Sequence, residues 1–182
     1  EMAIAERGLL VLDVVAAGKS GHAAREEGEN ALYKILPAIE WFKNYEFEKV
    51  SELLGKVKMT VTVIETENKQ HNVVPSTCKI VVDVRVNELY SFEEIVSTIE
   101  KHVKSKVTPR SMRMRSTSIA MDHPLVKAGL ALGKGYYGSV TTSDKALMPF
   151  PALKMGPGDS ARSHSADEFI FIKEIEEGVL TY

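Results

Sequence analysis

The sequence contains very little cysteine, no long apolar run and almost no net charge, and each absence excludes a class of protein. The single cysteine, Cys78, cannot form an internal disulfide, so a disulfide-stapled scaffold is excluded and a reducing, cytoplasmic location is predicted. The longest apolar run is interrupted by Asp13, and none reaches the roughly 20 residues that span a bilayer. The formal net charge of −2 gives no reason to expect a nucleic acid or a membrane as a partner.

What is present is the composition of an ordinary globular protein, with 44% hydrophobic and 26% charged residues. Apolar residues alternate in some stretches and recur every three or four residues in others, which predicts strands and helices respectively. The predicted strands cover residues 8–17, 57–63, 79–86 and 111–119, and the predicted helices cover residues 30–45 and 92–103. Pro37 should kink the first helix or mark a late start. The second begins with a capping box, Ser91 and Glu94.

The order of these elements is strand, helix, strand, strand, helix, strand, which predicts the fold class. We expect an α/β (α+β) protein in which two helices cover one face of a four-stranded sheet, the split βαβ or ferredoxin-like arrangement. Asp122-His123-Pro124 then predicts the start of a further helix. Gly133, Gly135 and Gly138 spell G-x-G-x-x-G, but no strand pattern precedes them and no helix pattern follows. A dinucleotide site is therefore not predicted there.

The loop over residues 156–170, GPGDSARSHSADEFI, contains a single histidine, His164. Ser165 and Glu168 form a second S-x-x-E phrase, so we expect them to cap a final helix, with His164 directly before its N-terminus. Ligands of α/β proteins bind where strands end and helices begin. An imidazole in this place is a metal ligand, a general base or a hydrogen-bonded loop histidine, and the residues alone leave all three open.

Four phrases together resemble a known family, namely Gly18–Ala31, Asn72–Arg85, Thr142–Asp144 and Gly156–Ile170. Their order and spacing are similar to the second half of the acetylornithine deacetylase / succinyl-diaminopimelate desuccinylase family. These are co-catalytic zinc amidohydrolases related to aminoacylases and carboxypeptidase G2-like enzymes. The resemblance implies three segments: the end of a catalytic-domain segment over residues 1–8, a lid or dimerisation domain over 9–119, and a C-terminal part of the catalytic domain over 120–182.

The resemblance also implies roles for individual residues. His164 would ligate the second zinc ion, and the catalytic His22 would reach into the neighbouring subunit to hold the scissile carbonyl and the developing oxyanion. Arg85 would bind the substrate carboxylate as a bidentate fork. Further substrate contacts would come from Asn72, Thr142, Ser143, Gly156 and Ser160. The residues alone leave two other interpretations open: His22 as a turn histidine, and Asp83 with Arg85 as an ion pair on a solvated sheet face.

The implied activity is zinc-dependent hydrolysis of the amide bond of a small N-acyl amino acid. Two zinc ions would serve each active site, with cobalt a possible substitute, and the lid domain would form a homodimer. Ser160 makes the last phrase more similar to the acetylornithine deacetylase branch, which belongs to arginine biosynthesis, than to the diaminopimelate branch. The other metal ligands of the family lie in an N-terminal half, so we expect these 182 residues to be inactive alone.

Two other classes of function remain open at this point. The chain could be a non-catalytic dimerisation or interaction module, or a degenerate half-enzyme. It could also be a phosphate- or nucleotide-binding domain that uses residues 156–160 as an anion loop, although Pro157 removes one amide donor and no lysine follows as in a P-loop.

Overall fold

The computed structural model describes residues 1–25, 27–163 and 165–181. The strands are β1 (Met2–Glu6), β2 (Gly8–Ala17), β3 (Gly21–His22), β4 (Lys58–Thr66), β5 (Val73–Val74), β6 (Thr77–Val86), β7 (Lys106–Pro109), β8 (Thr117–Ser118) and β9 (Tyr136–Ser139). The α-helices are α1 (Ala31–Asn44), α2 (Phe92–His102), α3 (Pro124–Ala131) and α4 (Ile172–Thr181). Two short 3₁₀ turns, Asp144–Leu147 and Ser160–Arg162, lie between α3 and α4.

The larger sheet has the strand order β4-β6-β2-β7, and every neighbouring pair is antiparallel. Alternate residues of β2 and β6 are buried, among them Leu10, Leu12, Ile80 and Val82, and they share one core with the apolar faces of α1 and α2. Because side chains alternate across a strand, both helices cover the same face of the sheet. The predicted fold class, a four-stranded sheet with two helices on one face, is confirmed.

Local sequence signals explain where both helices of this unit begin. Asn30 caps α1 by accepting a hydrogen bond from Leu32 N at 2.9 Å. Pro37 lies inside α1, so it does not mark a late start. At the start of α2, Ser91 Oγ accepts from Glu94 N at 3.1 Å and Glu94 Oε2 accepts from Ser91 N at 2.7 Å. The capping box predicted for α2 is therefore present.

The prediction of a fourth strand over residues 111–119 is wrong. The fourth strand of the sheet is β7, which ends at Pro109 and pairs with β2, whereas β8 belongs to a different sheet. The alternation of methionine and arginine in residues 112–115 has another cause. Arg115 forms a bidentate ion pair with Glu93 and lies over the Phe92 ring at 5.5 Å, so it is held by α2 rather than by a strand ladder.

A second, smaller sheet has the order β8-β1-β9, with β1 antiparallel to β8 and parallel to β9. All five residues of β1 are buried, and α3 packs against them. β9 of the smaller sheet packs closely against the connection between α1 and β4, because a Cβ added to Gly138 would lie 2.2 Å from the carbonyl oxygen of Leu53. Arg7 Nε also donates to the carbonyl oxygen of Leu54 at 2.8 Å. This junction ties β9 to the turn that precedes β4.

The expected capping box at Ser165 and Glu168 is also wrong. Ser165 Oγ donates backwards to the carbonyl oxygen of Arg162 at 2.6 Å, and α4 begins only at Ile172. The carboxylate that serves the start of α4 is Glu174, which accepts from Phe171 N at 2.9 Å. Residues 165–171 are instead a turn followed by a segment without regular secondary structure. Among the described residues, no helix has the length and apolar character needed to cross a bilayer.

Candidate functional site

A two-stranded ribbon at one end of the larger sheet carries two of the predicted site residues. β3 pairs with β5 antiparallel, with His22 opposite Val73. Ala23 N donates to the carbonyl oxygen of Asn72 at 2.9 Å, so His22 and Asn72 are neighbours in this ribbon. Both side chains are exposed. The fold thus brings an exposed imidazole and an exposed amide together, although the two residues are 50 positions apart in the sequence.

The imidazole of His22 is oriented by its own backbone. His22 Nδ1 accepts a hydrogen bond from Ala24 N at 3.1 Å, so Nδ1 carries no proton in this arrangement. In the neutral ring the proton is then on Nε2, which becomes a hydrogen-bond donor. An outward Nε2–H is suited to hold a carbonyl oxygen that gains negative charge during a reaction.

The ribbon is shaped by close backbone packing next to His22. A Cβ added to Gly21 would lie 2.4 Å from the carbonyl oxygen of Glu27, so no other residue fits without moving the backbone. On the other strand, the carbonyl oxygen of Val74 accepts from Ser20 Oγ at 3.2 Å. The position of His22 therefore depends on the close approach of Gly21 to the backbone of Glu27.

Glu67 holds the connection between β5 and β6, and sequence reasoning missed it. Its carboxylate accepts from Ser76 N at 2.5 Å, Ser76 Oγ at 2.8 Å and Thr77 N at 2.9 Å. Burial acts to raise the pKa of Glu67, but the hydrogen bonds from Ser76 and Thr77 outweigh it and lower the pKa to about 2. Ser76 in turn accepts from Gly18 N at 2.7 Å, which links this loop to the segment that leads to β3.

Replacing Glu67 by glutamine is expected to lower the urea midpoint of unfolding at pH 7. The carboxylate pKa is lower in the folded state than the roughly 4.3 of an unfolded chain, so its stabilisation is complete above about pH 4.5. That stabilisation disappears as the pH falls towards 2, so the gap between wild type and variant should shrink between pH 4.5 and 2. Glu48→Gln, at an exposed position, is the matched control. Equal midpoints for the two variants at pH 7 would contradict this role of Glu67.

Arg85 lies at the opposite end of the sheet from the ribbon. It lies eight positions along β6 from Thr77, which corresponds to roughly 26 Å along the strand. Its guanidinium forms a bidentate pair with Asp83, with Nε at 2.7 Å from Oδ1 and Nη2 at 2.9 Å from Oδ2. The structure therefore does not bring Arg85 together with His22 and Asn72 on one chain, and Asp83 occupies the guanidinium fork.

Thr142 and Ser143 donate their hydroxyl protons within the chain. Thr142 Oγ1 donates to the carbonyl oxygen of Arg7 at 2.6 Å, and Ser143 Oγ donates to Glu6 Oε2, also at 2.6 Å. Ser143 N adds a bond to the same oxygen at 3.2 Å. These bonds anchor the 142–148 loop beside β1, whereas the side chain of Asp144 is exposed.

Glu6 is the buried centre of this anchor, and sequence reasoning missed it. The residue is 1% exposed, and Lys154 Nζ lies 3.0 Å from Oε1 as an ion pair outside hydrogen-bonding angles. Burial raises the pKa of the Glu6 carboxyl, but Ser143 and Lys154 outweigh this, so the pKa lies below the ordinary value. The available signal was a single acidic residue closing an otherwise apolar strand, MAIAE.

The C-terminal loop borders a pocket of about 640 Å³. Gly156 lines it, as do Gly158, Asp159, Arg162 and Ser163. His164 and the side chain of Ser160, which the sequence predicts as metal ligand and substrate contact, lie outside the described residues. Among the described residues, no group of three or more histidine, cysteine, aspartate or glutamate side chains could hold a metal ion. The described part of this chain therefore does not fit a complete zinc site.

The side chain of Arg162 holds this loop against α4. The Arg162 guanidinium lies 4.9 Å from the ring centroid of Phe169 and 5.2 Å from that of Phe171. It also forms a two-point ion pair with Glu174, with Nη1 at 2.9 Å from Oε2. The hydrogen bond from Arg162 lowers the pKa of Glu174. Because Glu174 also accepts from Phe171 N, one carboxylate fixes both the loop and the start of the helix.

Comparison with known proteins identifies the larger sheet and its helices. Residues 4–110, more than half of the chain, match the family model described as the peptidase dimerisation domain. One relative, succinyl-diaminopimelate desuccinylase 2 of Ruegeria sp., is 23% identical over 103 residues, covering 56% of this chain and 26% of the relative. The succinyl-diaminopimelate desuccinylase of Cereibacter sphaeroides is 26% identical over 170 residues, covering 90% and 43%. The chain thus spans less than half of the length of these curated relatives.

Solved structures share the fold over almost the whole chain. Aminopeptidase PepT from Bacillus cereus superposes with a TM-score of 0.75 at 16% identity, covering 99% of this chain and 51% of that one. The M20 family metallo-carboxypeptidase Sso-CP2 from Sulfolobus solfataricus gives 0.69 at 15% identity, covering 100% and 58%. With the relatives above, these likenesses confirm the resemblance found in the four sequence phrases. The chain belongs to the M20 peptidase dimerisation domain family.

Proposed function

We propose that this chain provides the dimerisation domain and a C-terminal catalytic part of a metal-dependent amidohydrolase that acts on small N-acyl amino acids. The observation that carries the proposal is the exposed His22–Asn72 ribbon, in which a backbone hydrogen bond leaves the His22 Nε2–H free to donate. His164 would contribute one metal ligand, and polypeptide outside these 182 residues would contribute the others. We use "complete enzyme" for the chain together with that polypeptide.

The separation of the predicted residues supports an active site shared by two subunits. His22 and Asn72 lie at one end of the sheet and Arg85 lies roughly 26 Å of strand away. A small substrate cannot contact both ends on one chain. In a two-fold dimer each site takes residues from both copies, so the ribbon of one subunit would meet the substrate bound by its partner. The bound metal would polarise the amide carbonyl, and His22 would donate to its oxygen.

The dimer interface we propose is the free edge of β4 with the outer side of α1. β4 is a long edge strand of nine residues, whereas the opposite edge, β7, has four and ends in a proline. Unpaired edge strands add readily to a second strand. The helix α1 exposes Tyr33 and Leu36, and β4 exposes Ile64, so both elements present apolar side chains to solvent. A second copy would cover these groups in an isologous contact.

The 182-residue chain of 20.1 kDa is expected to sediment as a dimer of about 40 kDa. The double variant Leu36→Asp/Ile64→Asp should shift it to the monomer mass, because charges would be buried at the interface without partners. Leu132→Asp, at another exposed leucine outside this interface, is the control and should remain dimeric. A wild-type chain that stays monomeric at high micromolar concentration would contradict the proposed interface.

The substrate proposal is tested by comparing two N-acyl amino acids with the complete enzyme. N-acetylornithine is the first candidate because of the Ser160 phrase, and N-succinyl-diaminopimelate is the second because the curated relatives bear that name. We expect the acetylated substrate to have the higher kcat/KM, chelator treatment to abolish turnover and added zinc or cobalt to restore it. We expect the 182 residues alone to hydrolyse neither. Full activity of the complete enzyme after chelation would contradict metal dependence. If the complete enzyme turned over neither substrate, the alternative of a non-catalytic dimerisation module would replace this proposal.

A further inference from the structure

Glu67 is a carboxylate that the proposed chemistry does not use, although three hydrogen-bond donors converge on it. Ser76 N and Ser76 Oγ donate to Oε1, and Thr77 N donates to Oε2 at 2.9 Å. Burial acts to raise the pKa of this carboxyl, but the hydrogen bonds from Ser76 and Thr77 lower it to about 2. At neutral pH the side chain is therefore an anion, and both of its oxygens act as acceptors.

The segment that Glu67 holds continues directly into the second strand of the His22–Asn72 ribbon. Only Pro75 separates Ser76 from β5, in which Val73 lies opposite His22. Proline has a fixed φ, so this link is short and stiff. A displacement of Ser76 is therefore passed on to β5 and to the strand that pairs with it.

The first strand of the ribbon is attached to the same segment. Gly18 N donates to the carbonyl oxygen of Ser76 at 2.7 Å, and Ser20 Oγ donates to that of Val74 at 3.2 Å. Both donors lie within the four residues that precede His22 in the sequence. The segment over residues 74–76 thus contacts both strands, and the carboxylate fixes this segment from outside the ribbon.

The place of the His22 ring is set by this ribbon. The ring is exposed, and the hydrogen bond that its Nδ1 accepts comes from Ala24 N, within the same turn. The turn is held in turn by Ala23 N, which donates to the carbonyl oxygen of Asn72 across the ribbon at 2.9 Å. Precise placement matters for an oxyanion donor, because a displacement of about 1 Å can cost a factor of about 100 in rate.

We infer that Glu67 is a positioning residue for His22. Its carboxylate fixes the 74–76 segment, this segment holds both strands of the ribbon, and the ribbon presents the Nε2–H of His22 to the substrate. Removing the carboxylate therefore lowers kcat and leaves KM nearly unchanged, because the donor acts in the transition state. The inference rests on the proposed hydrolase function, since it needs His22 to act on the substrate.

A double-mutant cycle in the complete enzyme tests this role. Glu67→Gln keeps the shape of the side chain and removes one acceptor oxygen, and we expect it to lower kcat about tenfold with KM within about twofold of wild type. In the His22→Ala background the same change should lower kcat by less than about twofold, because no donor is left to misplace. The control is Glu65→Gln, which removes an exposed carboxylate that pairs with Lys79 on the neighbouring strand, and it should keep the wild-type kcat.

The placement of the ring can also be measured without activity, on the 182-residue chain with ¹⁵N-labelled histidines. The ring ¹⁵N chemical shifts of His22 at about pH 8 report its tautomer, and we expect the Nε2–H form to dominate in wild type and in Glu65→Gln. In Glu67→Gln we expect a mixture of tautomers, because Nδ1 loses its bond from Ala24 N. Ser76→Ala removes only one hydroxyl donor to Glu67, so it is a milder second variant that should change the same signal in the same direction.

The two measurements separate this inference from the proposed function. Equal losses of kcat from Glu67→Gln with and without His22 would show a general structural role and overturn the inference. An unchanged tautomer in both Glu67→Gln and Ser76→Ala would also overturn it. If the tautomer changes as expected but His22→Ala keeps the wild-type kcat, the positioning is confirmed and the proposed catalytic role of His22 is wrong instead.

Discussion

Replacing His22 by alanine is expected to lower kcat of the complete enzyme by a factor of about 10²–10³, which is the usual loss when one oxyanion donor is removed. His22 Nδ1 is occupied by Ala24 N, so the role of the ring rests on Nε2–H, and alanine provides no donor there. The side chain is exposed and packs against no core, so folding and dimer dissociation should change little. The measurement is steady-state kinetics together with sedimentation of the same preparation.

His71→Ala is the matched control for this experiment. His71 is a second exposed histidine, and it is the immediate neighbour of Asn72 in the sequence. We expect its removal to change kcat by less than about threefold, since it is not placed in the ribbon pair. If His22→Ala retained wild-type kcat, or if it lost activity only by dissociating the dimer, the catalytic role of His22 would be wrong.

Replacing Arg85 by methionine is expected to raise KM by about 10–100-fold with a much smaller change of kcat. A charge-assisted hydrogen bond contributes about 1.5–3 kcal/mol, and a bidentate contact that binds ground state and transition state equally affects KM. The Arg85 guanidinium is paired with Asp83, so we propose that the substrate carboxylate shares or takes over this fork.

Arg110→Met separates substrate binding from the loss of a surface ion pair. Arg110 forms a bidentate pair with Asp13 at 2.9 and 2.8 Å, the same arrangement as Arg85 with Asp83, and it borders the same sheet on β7. We expect this variant to keep the wild-type KM. Equal KM values for both variants, whether raised or unchanged, would remove Arg85 from the substrate site.

The larger sheet was predictable because its signals are local. Alternation in β2 and β6 and the capping box at Ser91 depend on residues a few positions apart, and each has the predicted structure. The same kind of signal failed where long side chains found other partners. After residue 111, the Met–Arg alternation accompanies the pairing of Arg115 with Glu93 and not a strand. Ser165 does not cap a helix, and the loop is held instead by the ion pair of Arg162 with Glu174.

The candidate site was predictable only in part, because its contacts join residues far apart in the chain. Thr142 and Ser143 were expected to face a substrate, yet their hydroxyls donate to Arg7 and Glu6, more than 130 residues earlier. No spacing rule relates such positions. The buried Glu6 depends on the parallel pairing of β1 with β9, which brings the 142–148 loop beside it. The resemblance supplied His22 and Asn72, and the structure places them as neighbours.

The central claim is that each active site combines His22 of one subunit with His164 of the other, and mixed dimers test it directly. His22→Ala and His164→Ala versions of the complete enzyme, each inactive alone, are dissociated, mixed in equal amounts and allowed to reassociate. Half of the dimers are then mixed, and each contains one intact site, so the mixture should recover about a quarter of wild-type activity. A mixture no more active than the separate variants would contradict the shared site and confine both histidines to one subunit.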